Sequence, residues 1–279
     1  MRSVLITGAS TGIGRATVER LDAAGWQVFA GVRRQEDADA LSQAGSERVV
    51  PLTLDVTDAD QIAAAAKRIE EETGARLEGL VNNAGIAVPG PLETLPLEDF
   101  RRQVEVNLTA QVAVTQATLP LIRRGRGRIV FISSIGGRIA FPLNGAYHAA
   151  KFGVEAVGDV FRQELRPWGI GVSIVEPGSI DTPIWERGSA NADEIESRAR
   201  PDQEALYGQA IAGFRKVVQD LADRGIPPAK VAREIAHALE ADRPRSRYLV
   251  GLDAKLQARL KVVIPDRVFD RIVARTMRP

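Results

Sequence analysis

The sequence predicts a doubly wound, parallel α/β sheet folded as a single domain. Three observations lead there. Short β-branched runs alternate with longer helical patterns, several of the apolar runs are continuous, and a glycine-rich turn follows the first of them. Strands covered by helices on both faces read as unbroken apolar runs, and alternation of strand and helix implies right-handed βαβ units.

The strands are expected at Ser3–Thr7, Gln27–Val32, Val49–Leu54, Gly79–Asn82, Gly127–Ser133, Gly171–Glu176 and Tyr248–Val250. Val28-Phe29-Ala30 and Gly79-Leu80-Val81 are the clearest buried runs. Helices are expected between them, including Gly14–Ala24, Asp58–Thr73, Leu97–Arg123, Ala146–Arg166 and Ala229–Glu240. The rhythm breaks over 183–227, where Trp185, Leu206, Tyr207 and Phe214 sit among charges in an amphipathic pattern. An insertion at the carboxyl ends of parallel strands lies where such sheets bind ligands, so 183–227 reads as a helical, substrate-covering lobe of one domain spanning 1–279. In 253–279, Leu256, Leu260, Val263, Val268, Phe269, Ile272 and Val273 recur at helical spacing. Lys255, Arg259, Lys261, Arg267, Arg271, Arg275 and Arg278 are interleaved with them. Such a basic amphipathic tail docks on its own fold, on a neighbouring subunit, or on an anionic membrane surface.

Composition removes several functions. The 37 basic and 36 acidic residues nearly cancel, so nothing draws the whole molecule to nucleic acid. The chain has no cysteine and only two histidines, His148 and His237, which argues against disulfides, thiolate zinc and metal catalysis. Met1-Arg2 runs straight into the first strand, leaving no room for a signal peptide, and no apolar run approaches the ~20 residues of a membrane span. A soluble, cytoplasmic protein is expected, attached to a membrane surface at most.

The first turn, Thr7-Gly8-Ala9-Ser10-Thr11-Gly12-Ile13-Gly14, carries Gly8, Gly12 and Gly14 in a G-x-x-x-G-x-G pattern. Glycines there permit a tight turn and let backbone N–H groups approach a pyrophosphate at a helix N-terminus. After the second strand, NAD-binding folds often place an acid on the adenosine ribose. Here Val32 holds that position, followed by Arg33 and Arg34. An arginine fork suits a 2′-phosphate, so NADP is expected in preference to NAD, with Arg33, nearer the strand end, as its ligand. Glu36 or Asp37 serving a ribose is the other reading.

Tyr147 and Lys151 are i and i+4, hence on one helix face, and Ser133 and Ser134 close a preceding apolar strand. An ammonium ~5 Å from a phenol at an effective dielectric of ~20 favours the phenolate by roughly 3 kcal/mol, about two pKa units. Lys151 can also bond the nicotinamide ribose, and a serine hydroxyl can hold the substrate oxygen near Tyr147.

With Asp55-Val56, Asn82-Asn83-Ala84-Gly85, Asn107 and Pro177-Gly178, these pieces resemble the short-chain dehydrogenase/reductase family, in family order over roughly the first 185 residues. Arg247-Tyr-Leu-Val-Gly-Leu-Asp253 resembles, more loosely, members acting on steroids, retinoids and other lipophilic alcohols. The resemblance implies a Rossmann-type fold and an NADP-dependent oxidoreductase. It selects Ser134 over Ser133, since Ser134 lies at the family's interval from Tyr147. It implies Asn107, Ser134, Tyr147 and Lys151 as catalytic residues, with Ser134 and Tyr147 on the substrate and Asn107 holding a water that relays protons to Lys151. Gly8, Ser10, Thr11, Gly12, Ile13 and Gly14 would bind the cofactor together with Arg33, Asp55, Val56, Asn82, Ala84 and Gly85. Pro177, Gly178, Ile180 and Thr182 would border its nicotinamide and pyrophosphate, and Tyr147 and Lys151 would also contact it. Assembly as a homodimer or homotetramer is implied as well.

The substrate is expected to be a bulky lipophilic alcohol, ketone or aldehyde. Trp185, Leu206, Tyr207 and Phe214, with Ile139, Phe141 and Leu143, would line its pocket. Reduction of an acyl thioester or sugar carbonyl is an alternative within the same chemistry. A non-catalytic dinucleotide sensor is the alternative from another class.

Overall fold

Each expected apolar run is a strand. They are β1 (Ser3–Thr7), β2 (Gln27–Val32), β3 (Val49–Thr53), β4 (Gly79–Asn82), β5 (Arg128–Ile132), β6 (Gly171–Pro177) and β7 (Arg247–Val250). The computed structural model describes residues 1–197 and 201–276. All seven strands are parallel in one sheet, in the order β3-β2-β1-β4-β5-β6-β7. The order runs outward in both directions from the β1–β4 pair, which makes the carboxyl ends of those two strands the switch point of the sheet.

Helices cover both faces: α1 (Gly12–Ala23), α2 (Gln35–Ala44), α3 (Ala59–Thr73), α4 (Leu97–Val104), α5 (Ala110–Gly125), α6 (Gly145–Glu164) and α9 (Pro228–Glu240), with α7 (Ile184–Ser197) and α8 (Pro201–Asp223) between β6 and α9. On one face Val18 and Leu21 of α1 and Val231 and Ile235 of α9 bury Val4, Ile6 and Val28. On the other, Ile62 and Ile69 of α3, Val114 and Ile122 of α5 and Val154 of α6 bury Leu5, Phe29, Leu80 and Phe131. Strand side chains alternate between faces, so β1 feeds Val4 and Ile6 to one layer and Leu5 to the other. That is why continuous apolar runs were needed.

One expected helix is broken. Leu97–Arg123 is two α-helices joined by a π-helical turn at Glu105–Thr109, in which Ala110 N–H reaches back to Glu105 O. A single extra residue in the turn leaves the apolar pattern readable as one helix, and such π-bulges gather at functional sites. Asn107 sits at its centre.

The irregular stretch forms α7 and α8, a helical pair packed on the carboxyl side of the sheet. Ile195 is buried with Val88, Leu95 and Ala146, and Asn191 Nδ2 donates to Ala87 O at 2.7 Å. The tail is helical too: α10 (Leu252–Val263) and α11 (Asp266–Thr276), while Arg278 lies outside the described residues. It docks on its own fold only in part. Val273 is buried and Phe269 packs against Phe141, but Leu252, Leu256 and Val263 stand 85%, 59% and 79% exposed.

Candidate active site

The glycine turn is locked from β4. Thr7 Oγ1 accepts the backbone N–H groups of Asn83 and Ala84 at 2.9 and 3.0 Å, while Asn83 Nδ2 donates to Thr7 O and Gly8 O at 2.9 and 3.0 Å. Gly8 and Gly12 have φ of +63° and +56°, a region open to glycine at little cost. A Cβ on Gly12 would lie 2.9 Å from the Thr182 methyl, and one on Gly8 would lie 2.9 Å from Ala84 Cα. Thr11, at the N-cap of α1, makes no side-chain capping bond, so the first N–H groups of the helix have no such cap among the described residues. Ile13 packs on the core and its carbonyl accepts from Thr17 Oγ1, fixing the first helical turn, with Ser10 half-buried beside it. This cradle fits a dinucleotide pyrophosphate.

At the end of β2, Arg34 makes a two-pronged bond to Asp37 at 3.0 and 3.1 Å. Arg33 is exposed and carries no hydrogen bond among the described residues, while its charge faces Asp55. Partial burial pushes Asp55 up, yet bonds from Thr57 N–H and Oγ–H and the Arg33 guanidinium outweigh it, leaving the carboxyl below its ordinary pKa. Val56 is buried beneath it. Asn82 is fully buried, with Nδ2 donating to Thr115 Oγ1 at 2.9 Å, which ties β4 to α5. Gly85 lies over Asn107, whose Oδ1 accepts Ile86 N–H at 2.9 Å and whose Nδ2 donates to Ile86 O at 3.0 Å. The Asn107 side chain thus holds the loop after β4 through one donor and one acceptor. The π-turn, not the amide, is the unusual element there.

At the end of β6, Pro177 is buried and Pro177 O accepts from Ser134 Oγ at 3.5 Å. Ser179 N–H donates to Asp253 Oδ2 at 2.7 Å, and a Cβ on Gly178 would lie 2.3 Å from the same oxygen. Ile180 is buried, and its carbonyl accepts from Trp185 Nε1 at 2.7 Å. From α7, Arg187 Nη2 reaches Thr11 Oγ1 at 3.5 Å, which brings a cation to the N-terminus of α1.

Tyr147 and Lys151 project from α6 and meet Ser134, the cap of a 3-10 turn at Ile135–Gly137. Ser134 Oγ accepts Gly136 N–H at 3.0 Å and shares a hydrogen bond with the Tyr147 hydroxyl. Lys151 is buried, with Nζ donating to Ile132 O at 2.8 Å and lying 5.7 Å from the Tyr147 ring centre. The phenol differs from the sequence expectation. Burial pushes Tyr147 above its ordinary pKa and the Ser134 bond pulls only part of that back. Desolvation opposes the pairwise attraction of ammonium and phenolate, and it also draws Lys151 down to about 8 against the opposing pull of Glu155. Burial therefore favours the protonated phenol.

His148 is structural. Its Nε2 accepts Phe141 N–H at 3.1 Å, so the ring proton is on Nδ1, 2.9 Å from Gly136 O, and burial keeps the ring neutral. Among the expected pocket residues, Ile139 is fully buried and belongs to the core, and Leu206 is 67% exposed. Trp185, Tyr207 and Phe214 of the lobe are half-buried, as is Phe141, which packs on Phe269 of the tail, while Leu143 is buried. Asn83, Arg187 and Asp253 were not anticipated. Asn83 stands inside the quoted Asn82–Gly85 run and could have been read there, but nothing local marks the other two.

A family described as short chain dehydrogenase matches residues 2–193. The chain is 34% identical, over all of its length and 98% of the relative's, to an NADPH-dependent 3-dehydrocapnine reductase of Ornithobacterium rhinotracheale. It is 38% identical to retinol dehydrogenase 5 of Mus musculus, covering 97% of this chain and 87% of that one. A solved short chain dehydrogenase of Burkholderia cenocepacia J2315, in complex with NADP, superposes with a TM-score of 0.73 over the full length of both chains at 26% identity.

Proposed function

The chain belongs to the short chain dehydrogenase family, and from that premise we propose an NADP-dependent oxidoreductase acting on a lipophilic secondary alcohol, ketone or aldehyde of steroid- or retinoid-like shape. The observation that carries the reading is the meeting of Ser134, Tyr147 and Lys151 at the carboxyl edge of the sheet, beside the glycine cradle. The cofactor, when bound, supplies or accepts the hydride at its nicotinamide. Ser134 Oγ holds the substrate oxygen, Tyr147 Oη gives it a proton in reduction, and Lys151 reaches the ribose and lends its charge to the phenol. Burial keeps the phenol protonated before substrate binds, the form that reduction calls on. The half-buried aromatic side chains of the lobe suit an apolar substrate. Loss of NADPH absorbance with hydrophobic ketones tests the proposal, run beside acyl thioesters, sugars and NADH. No turnover in the whole panel, with NADPH still bound, would leave the sensor reading.

The uncommitted Arg33 and the NADP-bound and NADPH-dependent relatives support the phosphorylated cofactor. Arg33→Ala is expected to weaken NADPH binding by about 10- to 100-fold, the worth of charge-assisted phosphate bonds, while NADH binding stays level. Equal losses for both cofactors, read by nicotinamide fluorescence, would place the 2′-phosphate elsewhere.

Contact with a membrane surface through the tail is also proposed. Leu252, Leu256, Leu260 and Val263 lie on one exposed face of α10, with Lys255 and Arg259 beside them, and no helix among the described residues is long and apolar enough to cross a membrane. Leu256→Glu with Val263→Glu is expected to release the protein from anionic vesicles in a pelleting assay. Unchanged pelleting counts against this face. Phe152 and Val160, exposed on α6, support assembly as a homodimer or homotetramer, which a monomeric mass by light scattering would exclude.

A further inference from the structure

An arginine of the lobe turns back to the glycine cradle, and the chemistry above does not use it. Arg187 is exposed on the first turn of α7, with Nη2 at 3.5 Å from Thr11 Oγ1, the outer edge of hydrogen-bonding reach. Its guanidinium has no carboxylate partner among the described residues. The helix offers none, because the residues three and four positions away are Ile184, Ala190, Pro183 and Asn191. Glu186, adjacent in sequence, does not share its face. Further along α7, Asp193 and Glu196 are taken by Arg215 of α8 at 2.5 and 2.9 Å.

Several contacts hold α7 where this side chain reaches the cradle. The Thr182 methyl lies against Gly12, and Trp185 Nε1 is bonded to Ile180 O. Gly188 is buried, and the Cβ it lacks would stand 3.3 Å from Ala87 Cβ, so the helix lies close on the loop after β4. Asn191 fixes the next turn to Ala87 O. Thr11 shows what the arrangement suits. An N-cap hydroxyl commonly accepts a helix N–H, but this one makes no such bond and faces the guanidinium instead. The cation and the start of α1 therefore border the same spot.

A pyrophosphate diester brings two negative charges there, one on each phosphate. The peptide dipoles of α1 answer with about half a charge. Arg15, in the first turn of α1, is already paired with Glu19 at 2.9 Å. We propose that Arg187 is a pyrophosphate ligand carried by the lobe, so that a bound dinucleotide ties α7 to the glycine turn and holds the lobe over the substrate. This rests on the reading of the cradle as a dinucleotide site. A long contact to a neutral hydroxyl is exchanged for a charge-assisted one, which is about twice as strong.

The test titrates the full chain with NADPH, NADH, ADP-ribose and 2′-AMP, by calorimetry, in the parent, Arg187→Gln and Arg187→Lys. Arg187→Gln is expected to weaken NADPH, NADH and ADP-ribose by about tenfold each. Binding of 2′-AMP, which has no pyrophosphate, is expected to stay at the parent level. Arg187→Lys keeps the charge without the fork and is expected to fall between the two. Amide exchange at saturating NADPH reads the tie to the lobe: α7 is expected to be slowed in the parent and not in Arg187→Gln, while 8–14 is slowed in both. A glutamine variant that binds all four ligands as tightly as the parent overturns the proposal. So does a loss confined to NADPH and 2′-AMP, which would put the guanidinium on the 2′-phosphate, or an equal loss for all four, which would mark a disturbed fold. Equal slowing of α7 in parent and variant overturns the tie between cofactor and lobe. A parent that binds neither dinucleotide defeats the reading of the cradle itself, a result distinct from tight binding that ignores Arg187.

Discussion

Tyr147→Phe is expected to lose turnover by about a thousandfold or more while NADPH affinity stays within about twofold. The substitution removes one oxygen and leaves the ring, so the packing of α6 against the 3-10 turn survives. What disappears is the phenolic proton beside Ser134. Positioned acid–base groups are worth about 10²–10⁴ in rate, and a thousandfold corresponds to about 4 kcal/mol of barrier. The phenol contributes at the proton-transfer step, whereas affinity for the dinucleotide comes from the glycine cradle and Arg33. Stopped-flow or steady-state loss of NADPH absorbance gives the rate, and nicotinamide fluorescence gives the affinity. Turnover within tenfold of the parent would remove Tyr147 from the chemistry. A collapse of cofactor binding together with rate would show that the hydroxyl is needed to build the site rather than to act in it.

The sheet was legible because every central strand is buried on both faces, and burial on both faces writes a continuous apolar run. The cradle was legible for a related reason: Gly8 and Gly12 adopt backbone angles that glycine alone reaches cheaply. Three things were hidden. The π-turn around Asn107 adds one residue without disturbing the apolar pattern on either side. The raised phenol of Tyr147 depends on how much protein surrounds it, which spacing along a helix does not record. Asp253, which fixes Ser179 from α10, acts across 74 residues of chain. Periodicity reports local geometry and which face is buried; long-range polar contacts leave no such trace. The tail was half legible, since Phe269 and Val273 dock, while a stripe on α10 and Val268 and Ile272 of α11 stay exposed.

The glycines also yield the second large prediction, because they are not interchangeable. Gly74 has φ +62° and nothing within 4 Å of where its Cβ would be. Alanine there meets only the left-handed backbone penalty, about 1–2 kcal/mol, and should leave NADPH binding unchanged. At Gly14 the obstacle is contact. A Cβ would come 2.2 Å from Gly8 O and 2.7 Å from Asn83 Nδ2, and neither can retreat, because those two atoms are bonded to each other at 3.0 Å. Gly14→Ala must therefore push α1 away from the turn or break the Asn83 clamp. Overpacking of this kind costs about 1–3 kcal/mol of stability. The cofactor site suffers more, since the N–H groups at the start of α1 and the carbonyls of the turn are positioned by that contact. A rise of about a hundredfold or more in the NADPH dissociation constant is expected, with a folded protein by circular dichroism and a lowered Tm. Gly14→Ala binding NADPH as tightly as Gly74→Ala would mean that the cofactor does not rest on this turn, and the site built around Asn83 and α1 would have to be abandoned.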